Sequence, residues 1–305
     1  MGVPALRRGA PEGGLGAPAD DGGTPPRGPV PVELSRARLN GTEIAYDAVG
    51  EGPPVVLLHA AVGDRRLWNG QVDTLAERHR VVRYDLRGYG DSPLPGVPFS
   101  YVDDLAALLD HLGIESAALV GNSFGGKVAL EFALEHPGRT RALVLVAAAL
   151  GGHERSAELE AFDEAEDALL DAGKLDEAVE LNLRTWLDGP DRDAAPVSAE
   201  ARELVAAGQR RAFETMLAAY EAEPPPGPVR WAEPPAATRL GEVAAPTLVV
   251  AGAHDVADFR AIADRLADEI PTARKVVLDT AHLPGLERPD ELNALLLDFL
   301  ASGGT

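Results

Sequence analysis

A chain of 305 residues, 45% of them hydrophobic, has material for one large α/β core or two smaller ones. Its 49 acidic against 28 basic residues give a formal charge of −21, which argues against nucleic acid or an anionic membrane surface as a partner. With no cysteine, the chain has no disulfide, no thiolate metal site and no cysteine nucleophile. No apolar run reaches the length of a membrane span, and the two arginines near Met1 lead into no apolar signal core, so a cytoplasmic protein is expected.

In chain order, residues 1–31 are dominated by Gly, Pro, Ala and charge and are expected to form a disordered tail. Alternating runs at Val32–Asn40 and Glu43–Val49, joined at Asn40-Gly41, predict a hairpin. The continuous apolar run Pro54–His59 predicts a buried parallel strand, followed by a helix over Leu67–Arg78 and a strand over Arg80–Asp85. After the loop Leu86–Ser92, the spacing of Leu105, Leu108, Leu109 and Leu112 predicts a helix. Strand Ser116–Val120, helix Lys127–Leu134 and strand Ala142–Ala147 come next. Strands at Pro246–Gly252 and Arg274–Asp279, with helices at 257–270 and 289–301, complete the pattern. Eight strands, the later ones alternating with helices, imply an α/β fold with a mostly parallel sheet covered on both faces.

Between Gly151 and Gly241 the alternation stops. Helices are predicted over His153–Leu187 and Ser198–Glu221, then a stiff proline-rich connector through Glu223-Pro224 and Glu233-Pro234. An insertion after the sixth strand would sit over the carboxyl ends of the sheet, where open α/β sheets bind ligands. Residues 151–241 are therefore expected to form a helical cap or lid, on a core made of 32–150 and 242–305; a surface-packed helical appendage is the competing reading.

One turn carries the chemistry. Gly121-Asn122-Ser123-Phe124-Gly125-Gly126 places a serine between a buried strand and a helix, with glycine two residues before and two after it. This is the G-x-S-x-G pattern, in which the serine hydroxyl is lifted clear of the sheet and the next N–H, here that of Phe124, faces the group under attack. The same letters fit G-x-x-x-x-G-K, the phosphate-binding loop, but that motif needs Ser or Thr next and this chain has Val128.

A serine nucleophile needs a base, normally histidine oriented by a carboxylate. Of seven histidines, His79, His111 and His136 lie at predicted helix ends, His153 begins the insertion, His59 is expected to fix the loop behind its strand, and His254 adjoins a candidate acid. His282, between the last strand and the last helix, is the candidate base. Asp255, closing the seventh strand, is the candidate acid. Asp258 reads as the cap of a helix beginning at Phe259, and Asp85 as the partner of Arg87 in a loop-bracing ion pair. The second oxyanion donor beside Phe124 should come from the His59 loop, with Ala61 favoured and Ala60 the alternative.

Taken together, the His59 loop, Asp85-Leu86-Arg87-Gly88-Tyr89-Gly90-Asp91-Ser92, the serine turn, Gly252-Ala253-His254-Asp255, and His282 followed by Leu286-Glu287-Arg288-Pro289 resemble the α/β-hydrolase superfamily over about residues 32–302. The family usually has glycine where Ala60 and Ala281 stand. The resemblance implies a serine hydrolase of small esters or lactones, with the triad Ser123, Asp255 and His282, no metal and no organic cofactor. It leaves two alternatives: carbon–carbon bond hydrolysis of ring-cleavage diketones, or a ligand-binding or cyclase-type member with little turnover. A carboxylate nucleophile, as in epoxide hydrolases and haloalkane dehalogenases, is ruled out by Ser123. Trp68, Phe162, Trp186 and Met216 are candidates for an apolar pocket, with a plain core role as the competing reading for each.

Overall fold

A computed structural model describes residues 33–303, so the expected tail at 1–31 lies outside the described residues. Eight strands form one sheet: β1 (Ser35–Leu39), β2 (Thr42–Val49), β3 (Pro54–Leu58), β4 (Arg80–Tyr84), β5 (Ala117–Asn122), β6 (Thr140–Val146), β7 (Thr247–Gly252) and β8 (Ala273–Leu278). Their order across the sheet is β1-β2-β4-β3-β5-β6-β7-β8. The first two strands run antiparallel and the rest are parallel. The β1–β2 hairpin turns at Asn40 and Gly41, both at positive φ (46° and 81°), the geometry a two-residue Asn-Gly turn supplies.

Helices α1 (Asn69–Ala76), α2 (Tyr101–His111) and α3 (Phe124–Glu135) make the crossovers between β3 and β6, and α7 (Ala257–Glu269) makes the last, between β7 and β8. The single turn α8 (Pro284–Glu287) and α9 (Pro289–Ala301) follow β8. Between β6 and β7 lies the helical insertion, with α4 (Ala157–Asp171), α5 (Leu175–Asn182), a π-helical segment at Leu183–Asp188 and α6 (Ala199–Glu221). The single helix expected over His153–Leu187 is thus broken, because Gly173 at φ 71° ends α4 and turns the chain.

Continuous apolar strands bury both faces of the sheet. Val56 and Leu58 of β3, Leu119 of β5 and Leu143 of β6 pack with Leu105, Val128 and Leu266 of α2, α3 and α7. The alternate residues Val55, Leu57, Val120 and Val144 pack with Val72, Leu292 and Phe299 of α1 and α9. A third cluster joins the insertion to the carboxyl edge of the sheet, through Leu159, Leu183, Trp186 and Phe213 against Ala60, Val62 and Phe259. Among the described residues no helix is long and apolar enough to cross a membrane.

Two ion pairs differ from the sequence expectation. Asp85 does not hold Arg87; it accepts from the backbone N–H and the guanidinium of Arg65. Arg87, fully buried, instead forks onto Asp104 of α2 at 2.7 and 2.8 Å. Proximity in sequence suggested one pairing, whereas the packing of α2 against the loop made the other. A further buried pair crosses from β2 to β4: Asp47 and Arg83 are register partners joined at 2.9 and 3.0 Å, and Arg65 approaches the same carboxylate at 3.3 Å. Removing one partner of a buried pair leaves the other charge desolvated. Asp47→Ala should therefore lower unfolding free energy by roughly 3–5 kcal/mol. Urea unfolding checks this, and a loss below about 1 kcal/mol, the scale of an exposed pair, would contradict it.

Candidate active site

The sheet reverses its connection direction at neighbouring strands β3 and β5: β3 leads outward to β4, and β5 leads the other way to β6. Ligands bind at the carboxyl ends of such switch points. The loop after β3 and the serine turn after β5 both emerge there.

Ser123 has φ 54° and ψ −114°, a conformation an L-residue holds only when its surroundings impose it. They do so with backbone hydrogen bonds. The Ser123 N–H donates to Val146, its carbonyl accepts from Lys127 and Ala149, and the Gly125 N–H donates to His59 at 3.1 Å. Glycine is required on both sides. A Cβ on Gly121 would lie 2.4 Å from the Gly125 carbonyl oxygen, and one on Gly125 would lie 2.3 Å from that of Leu58. Phe124 is the first residue of α3, so its N–H has no acceptor within the helix.

His282 and Asp255 are both 98% or more buried. Nδ1 of His282 lies 2.9 and 3.0 Å from the two Asp255 carboxylate oxygens, and Asp255 also accepts from the Val256 N–H at 2.8 Å. A proton on Nδ1 facing the carboxylate leaves Nε2 as the acceptor nitrogen. The loops carrying the two residues cross at Gly252, where a Cβ would fall 2.0 Å from the Ala281 carbonyl oxygen.

Further residues hold this arrangement, none of them given that role by the sequence. Asn122, next to the serine, donates through Nδ2 to the His282 carbonyl at 3.1 Å and to that of Val146 at 3.0 Å. Glu287 accepts from the Ala281 N–H at 2.7 Å, and Arg192, from the insertion, stands 2.7 Å from its other oxygen. Burial raises the Glu287 carboxyl above the usual range, with Arg192 and the Ala281 N–H opposing. Trp186 tilts over the His282 ring at a centroid distance of 4.7 Å, and the Phe259 ring meets it edge-on at 4.4 Å.

The remaining histidines occupy other places. His59 is fully buried; Nδ1 is 2.8 Å from the Ala60 carbonyl, and Nε2 accepts from the Leu86 N–H at 2.9 Å, so the ring ties the β3 and β4 loops together. Burial lowers its pKa, in keeping with a neutral ring. His254 is bonded to Asp279 at 2.8 Å, away from Asp255. Asp258 does not cap α7, which begins at Ala257 after Val256; it accepts from the backbone and hydroxyl of Ser156 and lies 3.2 Å from His153 Nε2. An acid expected to serve its own helix instead anchors the start of α4.

Ser123, His282, Ala61, Val62 and Phe259 line one cavity of about 470 Å³, roofed by the insertion. Phe162, Trp186 and Met216 are in its wall. Trp68 is not: it is 3% exposed and packs with Val72, Leu75 and Leu296 beneath the opposite face of the sheet. It closes a tight 3-10 turn, Arg65–Trp68, that leads into α1.

Comparison with known proteins identifies the family. The family described as the alpha/beta hydrolase fold matches residues 53–289. Uncharacterized proteins of Mycobacterium tuberculosis and Mycobacterium bovis are 35% identical over 127 residues, and that match covers 41% of this chain and 37% of theirs. The enol-lactonase of Burkholderia xenovorans LB400 superposes with a TM-score of 0.69 at 26% identity, over 88% of this chain and all of that one. Est816, an N-acyl homoserine lactone degrading enzyme, superposes with a TM-score of 0.68 at 29% identity, over 87% of this chain and all of its own. With the family matched from before β3 to the start of α9, the chain belongs to the α/β-hydrolase family.

Proposed function

We propose that this hydrolase cleaves a small ester or lactone through an acyl-enzyme intermediate. The observation that carries the reading is that a strained Ser123 and His282, the latter paired with a buried Asp255, line one cavity. Ser123 Oγ attacks the carbonyl carbon while His282 Nε2 takes its proton. Asp255 holds the ring in the tautomer this requires and stabilises the imidazolium. The carbonyl oxygen, now an oxyanion, accepts from the N–H groups of Phe124 and Ala61. His282 returns the proton to the leaving alkoxide, and water then attacks the acyl-serine by the same route. The lactonases among the similar structures favour a cyclic or linear ester over other acyl substrates.

On this reading residues 151–241 act as a lid, with product leaving through its opening. A disulfide tethering α6 to the β4–α2 loop should slow turnover when oxidised and release it when reduced; equal rates in both states would remove the lid role.

The reading is tested by hydrolysis of short- and medium-chain p-nitrophenyl esters, with fluorophosphonate labelling. Ser123→Ala should abolish labelling and lower kcat by about 10⁴–10⁶-fold with its fold intact. Labelling without ester turnover would move the search to lactone and diketone substrates. Neither labelling nor turnover would contradict the hydrolase reading.

Glu287 and Arg192 give a second prediction. Glu287→Gln keeps an oxygen for the Ala281 N–H, whereas Glu287→Ala leaves that donor unpaired. Rate should fall by about 10-fold or more in the alanine variant and much less in the glutamine variant, in kcat rather than KM. Equal losses in the two, or a loss confined to KM, would show that the pair does not position His282.

A further inference from the structure

The cavity wall is mainly apolar, but Glu166 of α4, Asn182 of α5 and Gln209 of α6 interrupt it, with Tyr89 from the loop after β4. None of them belongs to the machinery around Ser123, and three stand on the insertion. Gln209 is 5% exposed, and its Oε1 is buried with no hydrogen-bond partner among the described residues. Glu166 receives one hydrogen bond, from Asn182 Nδ2 to Oε1, which leaves Oε2 unpartnered among the described residues. Burial raises its carboxyl, Asn182 opposes, and Asp163 and Asp167 add to the rise. Tyr89, pushed up to about 12 by burial and by Glu166, stays a neutral phenol.

The basic residues that share the wall do not answer these acceptors. Arg87 is held by Asp104 through Nε and Nη2, with its Nη1 buried and unpartnered among the described residues, and Arg155 pairs with Asp163. No protein donor is bonded to Gln209 Oε1 or Glu166 Oε2 among the described residues. An alkyl chain filling the cavity would strip water from both and offer nothing in return, and a carboxylate would meet Glu166 and Asp167 as like charges. A hydrogen-bond donor on the ligand supplies the partner these oxygens lack.

We propose that Glu166 and Gln209 form a recognition subsite for a hydroxyl or amide N–H on the substrate, so that the preferred ester or lactone carries such a donor besides its scissile group. The kinetic consequence rests on the hydrolase reading above; the binding step does not.

The test therefore begins with binding. Calorimetry on Ser123→Ala compares methyl hexanoates carrying a hydroxyl, either beside the carbonyl at the β-carbon or at the chain terminus, with their methoxy counterparts. The methoxy group keeps the oxygen and removes the donor. At one of the two positions the hydroxyl compound should bind about 10-fold or more tightly than its counterpart. Gln209→Leu and Glu166→Leu, each made in Ser123→Ala, should bring that ratio to within about 3-fold, with methoxy binding retained as the sign that the cavity is intact. Glu166→Gln, which preserves shape and removes charge, should give an intermediate ratio. In the enzyme with Ser123 present, kcat/KM should follow the same order.

Equal binding of both compounds at both positions would overturn the subsite, and so would a ratio that survives both leucine variants. A ratio that appears in binding and collapses in the variants, with neither fluorophosphonate labelling nor turnover when Ser123 is present, would leave the subsite standing and contradict the hydrolase reading instead.

Discussion

The whole site depends on backbone approaching backbone at the carboxyl edge of the sheet more closely than a side chain allows. Gly121 and Gly125 let the serine turn sit against β3, and Gly252 lets the loop of Asp255 pass under the loop of His282. Residues 160 positions apart then come within a hydrogen bond, as between Asn122 and the His282 carbonyl. The strain at Ser123 is part of the same economy. Its φ of 54° persists because five backbone groups around it are committed to hydrogen bonds that only this conformation allows.

That crowded edge is held from above as well as from within the sheet. Trp186 and Phe259 close over the His282 ring, and Arg192 reaches Glu287 beneath it. On the other side Arg211 of α6 meets Asp91, which shares Arg65 with Asp85 at the root of the Ala61 loop. Gly208 lies so close to Gly63 that a Cβ would be 2.9 Å from its Cα. The insertion thus touches both the histidine loop and the loop after β3. On the reading proposed above, covering the cavity would lower the local dielectric, so each dipole aimed at a bound carbonyl would act more strongly than in water.

Much of this was legible in the sequence because it depends on local pattern. Both-face burial writes continuous apolar runs such as Pro54–Leu58 and Ala142–Val146, and the serine turn writes its glycines at fixed offsets. His282 and Asp255 could be picked out because each follows a strand that ends at the same edge. What failed was pairing at a distance. Asp85 and Arg87 are two residues apart, yet each is claimed by a residue brought in by tertiary packing, Arg65 and Asp104. Asp258 reads as a cap until Ser156 arrives from another element. Trp68 and Trp186 look alike as letters; a 3-10 turn sends one into the core and a π-helical turn sets the other over His282. Glu166 and Gln209 on helices rich in acidic and polar residues look like solvated faces, and only the roofed cavity sets them apart.

The division of labour between the two parts of the chain follows from these facts. Ser123, His282 and Asp255 sit on loops of the sheet, where rigid strands fix their separations. The polar wall residues Glu166, Asn182 and Gln209 sit on α4, α5 and α6, which meet the core through aromatic contacts and a few ion pairs. Changing a wall residue of the insertion changes which acceptors a ligand must satisfy without moving Ser123, His282 or Asp255. On the reading proposed above, chemistry and specificity sit on separate elements, coupled where Trp186 and Arg192 reach down to the histidine loop and where Arg211 and Gly208 meet the loops after β4 and β3.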